Sequence, residues 1–277
     1  MSPFQLSPQL SRDTQKKYII CGNGITFVPL HHKKLETIDI MTQEELTRMI
    51  NEQEGRVSLA FPALMRKVYV WMTLALVITG ITAYIVSHNE SIIMTMMTTP
   101  ALMWGLIIAE LALVFVISGM IQRLSLTVGT LLFVVYSALN GLTLAPILMI
   151  YTGASVAKVF FITAGTFAAM AFVGYTTKKD LSSLGRLLFM ALIGLIIATV
   201  VNLFMKSSGL EMILSYLGVA IFVGLTAWDT QKIKLMLAQC PEPTEEAQKL
   251  ALLGSLSLYL DFINLFIYLL RIFGSRE

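Results

Sequence analysis

Three carboxylates stand inside, or at the edge of, long apolar runs: Glu110, Asp229 and Asp261. An ionisable side chain buried in a membrane span costs about 3 kcal/mol or more, and marks an ion or proton pathway far more often than chance. Asp261 falls on a helical stripe with Gly254, Ser257, Asn264 and Tyr268, spaced so that all five share one face. A polar stripe on an otherwise greasy helix turns inward, away from lipid. Asp229 has a weaker stripe of its own, Ser215, Gly218, Phe222 and Thr226. Tyr136, Asn140 and Thr143 share a third face, with Pro146 just beyond. If the two aspartate helices pack side by side, their carboxylates meet. Two close carboxylates in low dielectric cannot both ionise readily, so they hold a proton between them and titrate as a unit. The chemistry is that of a proton-controlled latch, or of a transient cation site built from hard oxygens. Bland readings exist for each residue. Asp229 could belong to an interfacial helix end, Glu110 could be structural glue to a Ser, Asn or Arg, and Tyr136 and Asn140 could serve packing alone.

The elements that must position these groups are set by composition. Of 277 residues, 56% are hydrophobic and 13% charged, where soluble domains carry about 25% charge. The apolar residues form runs of about 18 or more, the length that spans a bilayer. Spans are expected near 68–86, 101–120, 126–150, 156–175, 187–205, 210–229 and 250–273. They are too long and uniform for barrel strands, and only helices and closed barrels satisfy their backbone in lipid. The expected class is therefore an all-α polytopic membrane protein, a seven-helix bundle spanning 61–277. Recurrent small residues permit close helix contact: Gly80, Gly129, Gly165, Gly174, Gly194, Gly218, Gly224 and Gly254. Trp71, Trp104 and Trp228 read as interface anchors.

Lys and Arg concentrate before span 1 and in the connectors at 121–125, 176–186 and 230–249, which places those and the N-terminus on the cytoplasmic side. Arg271 and Arg276 then fall outside unless the seventh segment re-enters the membrane. The net charge of +3 includes no basic patch for nucleic acid. Cys21 and Cys240 read as free thiols. Residues 1–60 read as a cytoplasmic extension with no signal peptide, a short hairpin at Tyr18–Val28 and a short helix from Thr42 to about Glu52. Met41 is an alternative start, with 1–40 a gene-model artefact.

These residues resemble a known family. The run Ser257–Gly274, SLYLDFINLFIYLLRIFG, is similar to the last-span signature of the Bax inhibitor-1 family (transmembrane Bax inhibitor motif proteins). Gly224–Ile233, GLTAWDTQKI, resembles its span-6 signature. Arg66–Tyr69, Glu110, Asn140–Pro146 and Lys178–Leu181 extend the likeness over about 60–274, closest to bacterial members of the inner membrane. The resemblance implies seven helices with the last one central, and a pH-sensitive calcium leak whose sensor is an aspartate pair. That pair maps onto Asp229 and Asp261, which would also be transient calcium ligands, and the family's span-2 glutamate maps onto Glu110. Some members bond the pair with an arginine at the end of span 2. Arg123 is the nearest candidate, about half a turn beyond the expected position, where Ile121 stands.

The expected function is thus a proton-gated calcium leak, not an enzyme. Its partners are membrane lipid, calcium and protons; it has no cofactor, calcium being the transported ion. Tyr136, Asn140, Ser257 and Asn264 are pathway-lining candidates. A proton-coupled transporter would use the same carboxylates. An interaction protein modulating another membrane protein, such as a quality-control protease or a cell-death regulator, would not need them. An intramembrane aspartyl protease would have glycines beside its aspartates, whereas these follow Trp228 and Leu260.

Overall fold

The computed structural model describes residues 43–275, with side chains from Ala60 onward. The hairpin expected at Tyr18–Val28, and Thr42, lie outside the described residues. Residues 43–49 belong to an N-terminal unit, and Ile50–Glu277 form a second unit that contains every span. The described residues form eight α-helices and no strand: α1 Gln43–Ser87, α2 Glu90–Thr98, α3 Pro100–Met120, α4 Leu126–Leu148, α5 Gly153–Thr176, α6 Ser182–Met205, α7 Ser208–Leu237 and α8 Glu245–Phe273. Seven are long and apolar enough to cross a membrane, α1 over Ala60–Ser87 and then α3 to α8. The fold is the polytopic helical bundle expected.

Helix starts follow the capping chemistry of the connectors. Asn89, Ser125, Thr152, Ser207 and Thr244 each accept a backbone N–H of the following first turn. Three boundaries differ from the sequence reading. The helix expected to stop near Glu52 runs unbroken into the first span. The connector after that span holds the extra helix α2, which tucks Ile93 and Met96 against Val86 and Ala145. And α7 continues two turns past Asp229, to Leu237.

Helix α8 is the axle. Its buried residues fall on every side, whereas α3 and α6 bury little. A lipid-facing helix needs only one packed stripe, but a central helix is enclosed by neighbours. Phe262 meets Phe160 and Phe167 of α5 edge-on, both at 5.5 Å between ring centres. On the other side Tyr259 sits edge-on to Phe133 and Tyr136 of α4. The Tyr259 hydroxyl lies 2.7 Å from Thr79 Oγ1, which is also 2.8 Å from the Ser137 carbonyl, so one buried joint ties α1, α4 and α8.

Glycines set how closely the helices approach. A Cβ on Gly174 would collide with the Ala227 backbone of α7, one on Gly141 would lie 2.6 Å from the Thr79 carbonyl, and one on Gly218 would lie 2.7 Å from the Tyr268 ring. Gly129, Gly224 and Gly254 are similarly close to Ile121, Leu188 and Ile233. Gly80, Gly165 and Gly194 have open space, so those three are not contact points as the sequence reading supposed.

The two ends of the bundle are chemically distinct. At one end Lys67 donates to Gln248, the Leu126 N–H to Glu245, and Gln231 bridges the Lys179 carbonyl and the Leu181 N–H. At the other end the Thr152 N–H donates to the Ser275 carbonyl at 3.1 Å, and the Ser275 N–H to Ser155 Oγ at 2.8 Å. Helix α8 starts at the first end and finishes at the second. At about 43 Å for 29 residues, it is long and apolar enough to cross a membrane.

Candidate functional site

The register of α7 against α8 places the two aspartates. The helices run antiparallel, with Gly254 on Ile233 and Gly218 on Tyr268. Asp229 therefore faces the level of Ser257 and Leu258, and Asp261 lies one turn deeper, about 5 Å along the axis. Both line a cavity of about 890 Å³ between α3, α4, α6, α7 and α8. Asp261 is 4% exposed, and its Oδ2 is buried with no hydrogen-bond partner.

Glu110 enters the same cavity from α3. Its Oε1 accepts from Thr143 Oγ1 at 2.8 Å and its Oε2 from Asn140 Nδ2 at 3.5 Å. Because α4 runs parallel to α8 with Tyr136 against Tyr259, Asn140 and Thr143 lie beyond the level of Asp261. Glu110 is the deepest of the three acids, and from the basic end they descend as a stair: Asp229, Asp261, Glu110. The Glu110 bonds are those of the structural-glue reading; its place on the wall is that of the pathway reading, and the two are compatible. Asn140 leaves its Oδ1 buried and unpartnered.

Tyr136, Asn140, Ser257 and Asn264 all border the cavity, as do Asp229, Asp261 and Glu110. Of the stripe expected on α8, Ser257, Asp261, Asn264 and Tyr268 reach it, while Gly254 packs on α7 instead. Of the α7 stripe only Phe222 and Asp229 reach it. Asp229 is not at a helix end: the helix continues because Gln231 and Lys234 reach backbone carbonyls of Lys179 and Tyr175, so the polar segment ends in protein rather than lipid.

Arg123 does not take the latch position. It is exposed in the turn between α3 and α4, off the cavity wall, and its side chain has no hydrogen bond or ion pair among the described residues. The extra half-turn from Glu110 carries it clear of the site. Lys232 stands there instead: it is the one cation on the cavity wall among the described residues, and its Nζ sits 5.1 Å from the Trp228 ring centre. Its spacing of three from Asp229 puts both on one helical face, a signal hidden because Lys232 also reads as a topology marker. Trp228 was expected at an interface; it lines the cavity and packs its ring on Gly185. Among the described residues, no three His, Cys, Asp or Glu side chains gather as a metal site.

Residues 62–277 match the family described as Inhibitor of apoptosis-promoting Bax1. The chain is 52% identical over 214 residues to the Inner membrane protein YbhL of Escherichia coli (strain K12), covering 77% of this chain and 92% of that protein. It is 44% identical over 225 residues to a protein of Borreliella burgdorferi, covering 81% and 97%. It is 45% identical over 215 residues to protein RP147 of Rickettsia prowazekii, covering 77% and 89%.

Proposed function

This chain belongs to the Bax inhibitor-1 family, and from that premise we propose that it is a pH-sensitive calcium leak of a bacterial inner membrane, gated by the Asp229–Asp261 pair. The observation that carries the reading is that Asp261, which has a buried carboxylate oxygen without a hydrogen-bond partner, lines the same cavity as Asp229. Holding one proton between them, the pair ties α7 to α8 and presents one negative charge. Losing it leaves two repelling charges and a row of hard oxygens that attracts a divalent cation. Glu110 and the Asn140 amide oxygen continue that row inward. The protein acts as a conduit in this reading, not as an enzyme. The end bearing Lys67, Lys179 and Lys234 faces the cytoplasm, following the positive-inside rule.

The test is calcium flux into proteoliposomes across a pH series. Protein orientation would be scored by an impermeant maleimide on Cys240 in a Cys21→Ser background. Flux is expected to rise with pH in the unsubstituted protein, and Asp261→Asn and Asp229→Asn are each expected to flatten that rise. If Asp261→Asn leaves both flux and its pH response unaltered, the mechanism is wrong.

A further inference from the structure

The cavity has a side door. Ile107 and Leu111 of α3, and Phe189 and Ile196 of α6, line it and are also 36%, 55%, 54% and 55% exposed. These residues flank Glu110 on α3 and lie along the middle of α6, so the opening is at the depth of the hydrocarbon core. The helices explain the gap: α3 leans on α4, and α6 packs on α7 through Gly224–Leu188 and Gly185–Trp228. What enters through such a mouth comes from lipid rather than from water.

The interior asks for something specific. At about 890 Å³ the space is of the size that holds drug-sized ligands, and its walls are mostly apolar with a few converging polar groups. Three carboxylates face one ammonium, Lys232. The unpartnered atoms, Asn140 Oδ1 and, once the Asp229–Asp261 pair has lost its proton, Asp261 Oδ2, are both acceptors, and Asp261 as a whole is only 4% exposed. Buried acceptors without donors call for a ligand that brings N–H groups.

We propose that this cavity is a lateral binding site for lipophilic primary amines, whose protonated ammonium donates to Asp261 and Asn140 while the apolar body lies between α3 and α6. An alcohol of the same shape lacks the charge. A quaternary ammonium keeps the charge but has no N–H to donate, so it fills the site less well. Such an amine would stand in the path of any cation descending the acidic stair, yet its binding does not require that the protein conduct calcium.

The experiment is calorimetric titration of the purified full chain in zwitterionic nanodiscs, calcium-free, with empty nanodiscs as the blank. The probes are 4-phenylbutylamine, its trimethylammonium analogue and 4-phenylbutanol. Saturable one-to-one binding is expected for the amine, weaker binding for the quaternary analogue, and only bulk partitioning for the alcohol. Asp261→Asn should weaken the amine by about tenfold or more, the loss of a charge-assisted hydrogen bond. Lys232→Met should tighten it. Leu192 lines the cavity on α6 between Phe189 and Ile196; Leu192→Trp, which narrows the door and leaves every carboxylate in place, should abolish amine binding, so the site can be tested even if the aspartate variant does not fold. Equal partitioning of amine and alcohol into loaded and empty nanodiscs overturns the proposal, as does unchanged affinity in Asp261→Asn or Leu192→Trp. A protein that binds the amine but passes no calcium would refute the leak and leave this site standing.

Discussion

The joint between Thr79, Tyr259 and Ser137 offers a quantitative test of how α8 is held. The Tyr259 side chain is fully buried, and its hydroxyl has Thr79 Oγ1 at 2.7 Å. Thr79 has two carbonyls within reach, Ser137 at 2.8 Å and Ala75 at 2.9 Å, so its own proton goes to a carbonyl and the tyrosine must donate. Thr79→Val keeps the shape but strands the Tyr259 O–H in a dry core, at a cost of about 1–3 kcal/mol. The carbonyls it abandons belong to helices and keep their backbone bonds. Tyr259→Phe removes the donor and leaves Thr79 bonded, so it should cost less, about 0.5–1.5 kcal/mol. The double substitution leaves nothing stranded, and should cost less than the two singles combined by about 0.6 kcal/mol, the average for hydrogen bonds between membrane helices, and by no more than about 1.7 kcal/mol. Reversible unfolding in neutral-detergent micelles titrated with a denaturing detergent would give all four stabilities. Additivity within about 0.3 kcal/mol would refute the joint.

Two further outcomes arise from the packing and the connectors. Gly174→Ala forces a methyl into the Ala227 backbone and should destabilise by about 1–3 kcal/mol, while Gly80→Ala, facing open space, should be neutral or slightly stabilising; equal unfolding midpoints would contradict this. At the start of α6, hydrogen bonds from the Ser182 hydroxyl and then its backbone N–H hold the Asp180 carboxyl below its ordinary value. A lowered carboxyl contributes its ordering fully above the ordinary value of about 3.9 and loses it as pH falls through the lowered one. Exchange of the Ser182 amide, corrected for intrinsic rate, should therefore lose protection only in that acid window, and Asp180→Ala should remove the window.

Seven of the eight helices were legible because lipid demands long apolar runs, and those runs stand out whatever the tertiary structure. Helix α2 was not, since its nine residues are too short to span and sit in what reads as a connector. Asp261 was legible from its own helix, as a polar stripe has meaning without a partner. Asp229 was half legible: its residue type stood out, but the two further turns of α7 reach carbonyls at the end of α5 and in the connector after it, which local pattern does not reveal. The role of Lys232 and the exclusion of Arg123 depend on which side chains converge, and convergence is a property of the packed bundle. The lateral mouth likewise arises from what α3 and α6 do not touch.

The central claim is that Asp229 and Asp261 share a proton as one titrating unit. Infrared difference titration of the protein in nanodiscs reads it directly, through the carboxylic-acid carbonyl band that disappears as pH rises. The account predicts one band lost in a single pH-dependent step in the unsubstituted protein, with that step displaced or abolished by either Asp229→Asn or Asp261→Asn. Two independent steps, each removed by one substitution and left at its original midpoint by the other, would contradict it.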